Sequence, residues 1–526
     1  MLRKLSFILL LLSNTVLVAQ NFNISNERTF SAFYNKYIDT NTNIHSSIKP
    51  IYKNEASGYD NIMSELNYNS KVKFINAIGN HTVKEKNTSF LSLYALGNVG
   101  FNMENASGFS NNTTQLAAGI QVKAAFSKKW TAEFAYLWDF SEYPSHIDAL
   151  IKTKKISPGF GYTENNRGSF AQGNITFTAD ENFTFQLGYG KNFIGDGYRS
   201  LLLSDNANSY PYFKVTANIW KLKYMALYTN YFDIAGSNGN FNNYYHKLST
   251  VHYLSYNAIK WLNIGFFESI VWQSQDDEFY RGYDINYLNP VIFLRPSEYA
   301  QGSADNALLG GSLKARIKKK QILYGQVILD EFLLKELKAG NGWWANKYGI
   351  QFGIKSYDFM WVKNLSLQLE YNMVRPFTYS YYYQPTNVST QQNYAHFNAP
   401  ITHPLGANFN EIIAGVTYTK KRWVFEAMTT IAKIGLDTNL TESVGQDVLL
   451  PYNLRAQDYG YETTGGLSTD IINNTLKVSY LLIPESRMFF EVGVTNRMYK
   501  NKYTDQSNNM FFIGLRTAIT NRYSDF

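Results

Sequence analysis

The stretch "LSLQLEYNM", Leu365 to Met373, decides how the rest of the chain is read. Leu365, Leu367, Leu369, Tyr371 and Met373 alternate with Ser366, Gln368, Glu370 and Asn372. Successive side chains of a β-strand point to opposite faces, so a period of two builds a strand with one apolar and one polar face. The pattern recurs almost to the C-terminus. Phe183, Phe185, Leu187 and Tyr189 alternate with Thr184, Gln186 and Gly188, and Ile412, Ala414, Val416 and Tyr418 with Glu411, Ile413, Gly415 and Thr417. Soluble sandwiches use strands of ~5–6 residues, whereas these runs continue for about ten and carry aromatics near their ends, the signature of a membrane-spanning strand.

Composition agrees. Of 526 residues 16% are aromatic, with 41 Tyr and 36 Phe, and mean hydropathy is -0.30. That is too aromatic for an average soluble domain and too polar for a bundle of membrane helices. A sheet closed on itself leaves no unpaired edge facing lipid. The expected fold is therefore all-β, a transmembrane antiparallel β-barrel of about 18 strands with long inward-folding extracellular loops. Counting strand-like runs from Phe90 gives about nineteen. Assigning the weakest, the Gly/Thr-rich Gly460 to Thr469, to the loop before it leaves the even number that a chain with both ends in the periplasm requires. A barrel of that size encloses a lumen its own side chains do not fill.

The opening "MLRKLSFILLLLSNTVLVAQ" has Arg3 and Lys4, a short apolar run and a small residue at Ala19, which reads as a secretory signal (residues 1–19) cut near Ala19. With the leader gone, the outer membrane is the expected location. Residues 20–85 are rich in Asn, Ser and Lys and form a periplasmic or plug segment; residues 86–526 form the barrel. Two of the 49 basic side chains lie in the leader, leaving 47 against 41 acidic, and no basic block with interleaved aromatics argues for nucleic acid. There is no cysteine, so neither a lipid-anchor thiol nor a disulfide framework is available.

Tight charged segments such as "FSKKW", "TADEN", "IWKLK", "IKKKQ" and "YTKKRW" read as periplasmic turns. The long connections at about 141–170, 190–210, 274–305, 334–345, 375–408 and 434–472 are then extracellular. The last strand, in "MFFIGLRTAITNRYSDF", ends with an aromatic, Phe526, and resembles the signal by which barrels reach their assembly machinery.

Function has to come from the loops. "GYGKNFIGDGYRSLLLSDNANSYPY", Gly188 to Tyr212, has the glycines of a nucleotide loop but no following helix to supply amides. It reads instead as a tightly turned segment packed into the lumen. Lys191, Asp196, Arg199, Asp205 and Asn206 beside Tyr198 and Tyr210 combine groups that span hydroxyls with rings that lie on apolar sugar faces; equally, they pin the loop by satisfying each other. Other loops repeat the mixture with Arg295, Glu298, Trp343, Trp344, Arg375, His396, His403 and Asn408. "NPVIFLRP" is expected to fold back as an inner lining. These fifteen residues are the candidate polysaccharide-binding set.

The segments "GKNFIGDGYRSLLLSDNA", "NPVIFLRPSEYAQGSADNALLG", "GWWANKYG" and "HPLGANFNE" resemble the outer-membrane family of the gliding-motility protein RemB, over about residue 40 to the end. The first also resembles the family of the capsule-assembly protein Wzi. That resemblance implies an eighteen-strand barrel, occluded from outside, that binds surface polysaccharide like a lectin, in capsule or exopolysaccharide assembly or gliding. It also implies an N-terminal helical element, whereas residues 23–70 show little helical periodicity.

No H-E-x-x-H pair and no G-x-S-x-G elbow occurs, so a surface hydrolase is the weaker alternative and a diffusion porin the stronger one. No enzyme activity, cofactor or metal is expected. The expected partners are outer-membrane lipid, surface polysaccharide, the barrel assembly machinery, and motility or secretion proteins.

Overall fold

The computed structural model describes residues 21–66, 81–86, 89–106, 109–235, 237–274, 282–290, 305–318, 320–382 and 392–526. The leader and its cleavage point lie outside these residues, as do Arg295 and Glu298.

Eighteen described strands form one closed antiparallel barrel, each bonded to its neighbours in sequence. They are β1 (Ser89–Ala106), β2 (Phe109–Ala125), β3 (Trp130–Asp139), β4 (Gly168–Thr178), β5 (Phe183–Gly190) and β6 (Tyr210–Ile219). Next come β7 (Leu222–Asp233), β8 (Tyr245–Ile259), β9 (Leu262–Gln273), β10 (Asn306–Ile317), β11 (Gln321–Glu331) and β12 (Lys347–Tyr357). The last six are β13 (Leu365–Val374), β14 (Phe409–Lys420), β15 (Trp423–Leu436), β16 (Leu467–Ile483), β17 (Met488–Lys500) and β18 (Asp505–Thr517). β18 closes on β1, with Phe512 opposite Asn102. A short strand, His81–Lys86, extends that edge along the first half of β1 and runs across the expected boundary at 85/86. Gly460 to Gly466 belongs to a loop, and β16 takes up the last residues of that weak run, from Leu467.

Alternation is as the sequence reads. On β13, Leu369 and Tyr371 are each 41% exposed while Glu370 and Asn372 are buried. Because the apolar face is the bare one, it is the face that lipid covers. At the periplasmic turns Phe126, Trp220, Trp261 and Trp361 stand out from the wall, the last 95% exposed, forming an aromatic girdle.

Residues 21–66 pack inside this wall. Lys223 of β7 pairs with Glu55 at 2.5 Å, Lys314 of β10 with Asp39 at 2.8 Å, and Arg516 of β18 with Glu27 at 3.0 Å, contacts that span the circumference. The segment contains three short helices, α1 (Arg28–Ser31), α2 (Asn35–Thr40) and α3 (Tyr59–Leu66). Turns of 4, 6 and 8 residues are too short to print a period and too short to persist alone. Wall contacts stabilise them: Phe30, Tyr34, Ile38 and Leu66 share an apolar core with Val424, Leu481, Phe489 and Ala518.

From the other end, the connection 191–209 descends into the lumen, with Leu201, Leu202 and Leu203 fully buried against Tyr379, Tyr394 and Phe409. Its Ile194 pairs with Ile48 of the N-terminal segment, so outer loop and inner segment meet within the barrel. Beside them remains a cavity of about 500 Å³, lined among others by Arg28, Lys49, Gln368, Asn473 and Arg516.

One expectation is corrected. Phe526 does not end the last strand: β18 stops at Thr517, and the polar residues that follow turn into the lumen. There Arg497 donates to the Phe526 carbonyl at 3.0 Å and Tyr523 donates to Asp205 at 2.6 Å. The tail is too rich in charge and hydroxyl groups to face lipid, and these partners exist only inside. Most of "NPVIFLRP" lies outside the described residues, but residues 282–290 lie on the outer wall. Thr250 and Tyr228 donate to the carbonyls of Tyr287 and Leu288 at 2.9 Å, and Trp272 packs on Tyr287 at 4.9 Å. Outward-facing Leu248, Ile270, Trp272 and Ala307 form a second small core with Tyr287.

Candidate functional site

The glycine-rich segment builds a buried ionic centre. Arg199 has no exposed side-chain surface; it donates to Glu411 at 2.9 Å and to Asp525 at 3.1 Å. Its backbone N–H and that of Tyr198 donate to Glu370 at 2.9 and 2.6 Å. Burial alone would depress the Arg199 guanidinium, but Asp525 and Glu411 override it and hold it cationic. Gly197 is required here, since a Cβ would sit 2.5 Å from the Glu370 carboxylate. Next to it the Arg28 guanidinium lies 3.5 Å from the Tyr198 ring centre and 4.3 Å from that of Tyr523.

The remaining candidates in this segment are bonded internally as well. Asp196 accepts from Ser46 at 2.6 Å and from Lys314 at 3.0 Å, and Asp205 accepts from Asn521 and Tyr523. Lys191 donates to the carbonyls of Gly159 and Asp205, Asn206 to that of Pro400, and the Tyr210 hydroxyl accepts from the Asn192 N–H. Asn408 ties three strands of chain together, donating to the Gly435 and Gly465 carbonyls at 2.9 Å and accepting from Thr464.

The two histidines of loop 375–408 have separate partners. His396 accepts the Phe232 N–H at 2.8 Å and faces the Ser209 carbonyl at 3.0 Å, which assigns the proton to Nε2. His403 lies 2.7 Å from Glu411. Among the described residues, no three His, Cys, Asp or Glu side chains are placed to hold a metal ion. Burial pushes His396 down to about 3, so below the ordinary 6.5 the unfolded chain binds the proton first. Stability therefore falls between about 6.5 and 3, by up to ~1.4 kcal/mol per pH unit. Thermal unfolding in detergent at pH 7 and pH 5 should show this loss, with a flatter slope in His396→Gln.

Trp343, Trp344 and Arg375 lie elsewhere, on the outer surface. The loop 332–346 docks on the loop 437–466: Trp344 N–H donates to the Asp458 carbonyl at 2.9 Å, and Tyr461 N–H to that of Gly342 at 2.9 Å. Gly342, at φ 69°, lets the two backbones approach, since a Cβ there would meet the Tyr461 nitrogen at 2.8 Å. Arg375 braces the junction from beneath through the carbonyls of Asn346 and Tyr461. On top, Trp344 packs against Tyr452 at 4.7 Å and carries the Arg455 guanidinium 4.0 Å above its ring. Arg455 is paired with Asp458 at 2.8 Å. Tyr382, its ring 6.2 Å from that of Tyr452, extends this half-exposed shelf, and the exposed Tyr459 follows Asp458 in the chain. Sequence reasoning missed Tyr382, Tyr452, Arg455, Asp458 and Tyr459, which sit in stretches without periodicity; the local density of Tyr with Arg and Asp in "PYNLRAQDYGY" is the signal that was there.

The fold is that of an outer-membrane β-barrel. A solved structure over which the chain aligns almost end to end is Wzi, described as an outer membrane protein involved in group 1 capsule assembly in Escherichia coli and a carbohydrate-binding β-barrel. The two share 11% identity with a TM-score of 0.54, covering 95% of this chain and 99% of Wzi. Two Pseudomonas aeruginosa proteins are also similar. OpdO shares 9% identity over 81% of this chain and 96% of its own, at a TM-score of 0.43, and OpdL 8% over 81% and 97%, at 0.42. No protein-family model matches the chain, and no curated protein matches it in sequence.

Proposed function

We propose that this barrel binds or organises polysaccharide at the cell surface as a lectin-like, non-enzymatic protein. The site is the shelf of Trp343, Trp344, Tyr382, Tyr452, Arg455 and Tyr459. The observation that carries this reading is the partly exposed stack of Arg455 on Trp344 above a lumen filled by loops and N-terminal segment. The partly exposed rings beside this stack, Trp343 and Tyr382, offer apolar surface to the C–H side of a sugar, and a carboxylate-bearing sugar takes the Arg455 N–H donors by displacing the exposed Asp458 carboxylate that holds them at 2.8 Å. The likeness to a carbohydrate-binding barrel supports the class of ligand. The loop motifs that resemble the RemB-like family support a role for that binding in gliding adhesion or in capsule assembly. The candidates buried around Arg199 then act by setting the shape of the loops.

A glycan array probed with the detergent-purified barrel tests the proposal. Binding to acidic polysaccharide from the native cell surface is expected, about tenfold weaker in Trp344→Ala, as loss of ~1.4 kcal/mol of stacking implies. Arg455→Gln should lose preference for acidic over neutral chains. Absence of binding to any surface polysaccharide, or binding unchanged in both variants, overturns it.

A further inference from the structure

The loop 332–346 has a second face. Phe332, Leu333, Leu334 and Leu337 are between 39% and 52% exposed, on and just before the short helix α4 (Leu334–Ala339). Contiguous apolar surface of this kind marks an interaction site rather than a watery loop. Its position says which. The Phe332 ring meets the Tyr348 ring edge-on at 6.3 Å. Tyr348 points away from the lumen, because the adjacent Lys347 turns inward to Asp330 at 3.5 Å. Directly below, Val327, Ile350 and Phe352 are exposed on the lipid-facing wall of β11 and β12. The apolar patch thus continues the membrane belt upward, interrupted at the strand end only by Glu331, whose carboxylate is neutralised by Lys347 at 2.9 Å.

Lys335 and Lys338, both exposed, are three residues apart and share the neighbouring face of the helix. Long ammonium-bearing side chains beside an apolar face extend toward lipid phosphates while their stems stay in the interface. The loop is held firmly: Leu333 N–H donates to Asn346 at 2.8 Å and Asn341 to Glu336 at 2.8 Å, in addition to its docking on residues 458–461. We infer that Phe332 to Leu337 lies in the outer leaflet, with its apolar side chains among acyl chains and Lys335 and Lys338 on lipid headgroup phosphates. The element ties the Trp343–Trp344 shelf to the height of the headgroups.

The chain has no cysteine, so single labels can be placed freely. Spin labels on Leu334→Cys and Leu337→Cys, in vesicles of phosphatidylcholine with phosphatidylglycerol, are compared with Val327→Cys on the wall and Thr438→Cys in the loop 437–466. Both loop labels should be accessible to oxygen and shielded from a water-soluble nickel complex, as at 327, with an accessibility ratio several-fold above that at 438. Leaving out phosphatidylglycerol, or combining Lys335→Gln with Lys338→Gln, should lower that ratio. Nickel accessibility equal to that at 438 overturns the inference. So does shielding that appears only with dipolar broadening between labels, which would mean that a second copy covers the patch.

Discussion

Replacing Arg199 with alanine should destabilise the barrel more than any other single loop substitution. The change strips the partner from two carboxylates, Glu411 and Asp525, that are almost wholly buried. An uncompensated buried charge costs about 3–5 kcal/mol. It also weakens the link between the tail and the connection 191–209, which is left to the Tyr198 hydroxyl on Asp525 at 3.0 Å and to Asn521 and Tyr523 on Asp205. Heating samples before electrophoresis, which separates folded from unfolded barrels, reads the effect as a lowered transition temperature. Combining Arg199→Ala with Glu411→Gln should recover part of the loss, since one stranded charge is removed. A transition at the wild-type temperature would show that the ionic centre does not hold the loops.

Asp39→Asn should be nearly as severe, acting from the opposite end of the lumen. The carboxylate accepts from Lys314 at 2.8 Å, Lys355 at 2.9 Å and Tyr357 at 2.6 Å. Burial alone would raise the Asp39 carboxyl, but Lys314 and Lys355 hold it well below the ordinary carboxylate range. Its contribution is therefore complete above about pH 4 and is lost as pH falls through the depressed folded value. Neutral asparagine leaves two cations facing each other, at a cost of about 3–5 kcal/mol. The expected outcome is protease cleavage within residues 21–66 in Asp39→Asn under conditions where the wild type resists. It should be accompanied by loss of the acid-dependent part of the wild-type stability below pH 4. Equal resistance in both would contradict the account.

How much of this was legible in the chain follows from range. Period-two alternation is local, so Leu365 to Met373 announces a strand and its outward face without any neighbour. Tight turns such as "YTKKRW" are equally local and set the orientation, while the strand number followed from counting the runs and requiring an even total. The glycine-rich segment was recognisable as a packed loop because Gly195 and Gly197 have no other use beside so many charges. What each charge would bind was not legible: Arg199 and Asp525 are 326 residues apart, and nothing in either segment names the other. The helices α1 to α3 escaped notice because the barrel wall, not their own period, sustains them. The outward placement of residues 282–290 depends on Trp272 and Thr250 being free to receive them, a property of the closed sheet. The shelf around Trp344 arises where two loops meet, so Trp343 and Trp344 were visible as candidates while Tyr452 and Arg455 were not.

Planar-bilayer recording of the purified protein tests the central claim most directly. A barrel whose lumen is filled from both ends should insert without steady large currents, while a variant lacking residues 21–66 conducts in the same membranes. Steady large-conductance steps from the wild type would contradict the account and identify the chain as a diffusion pore.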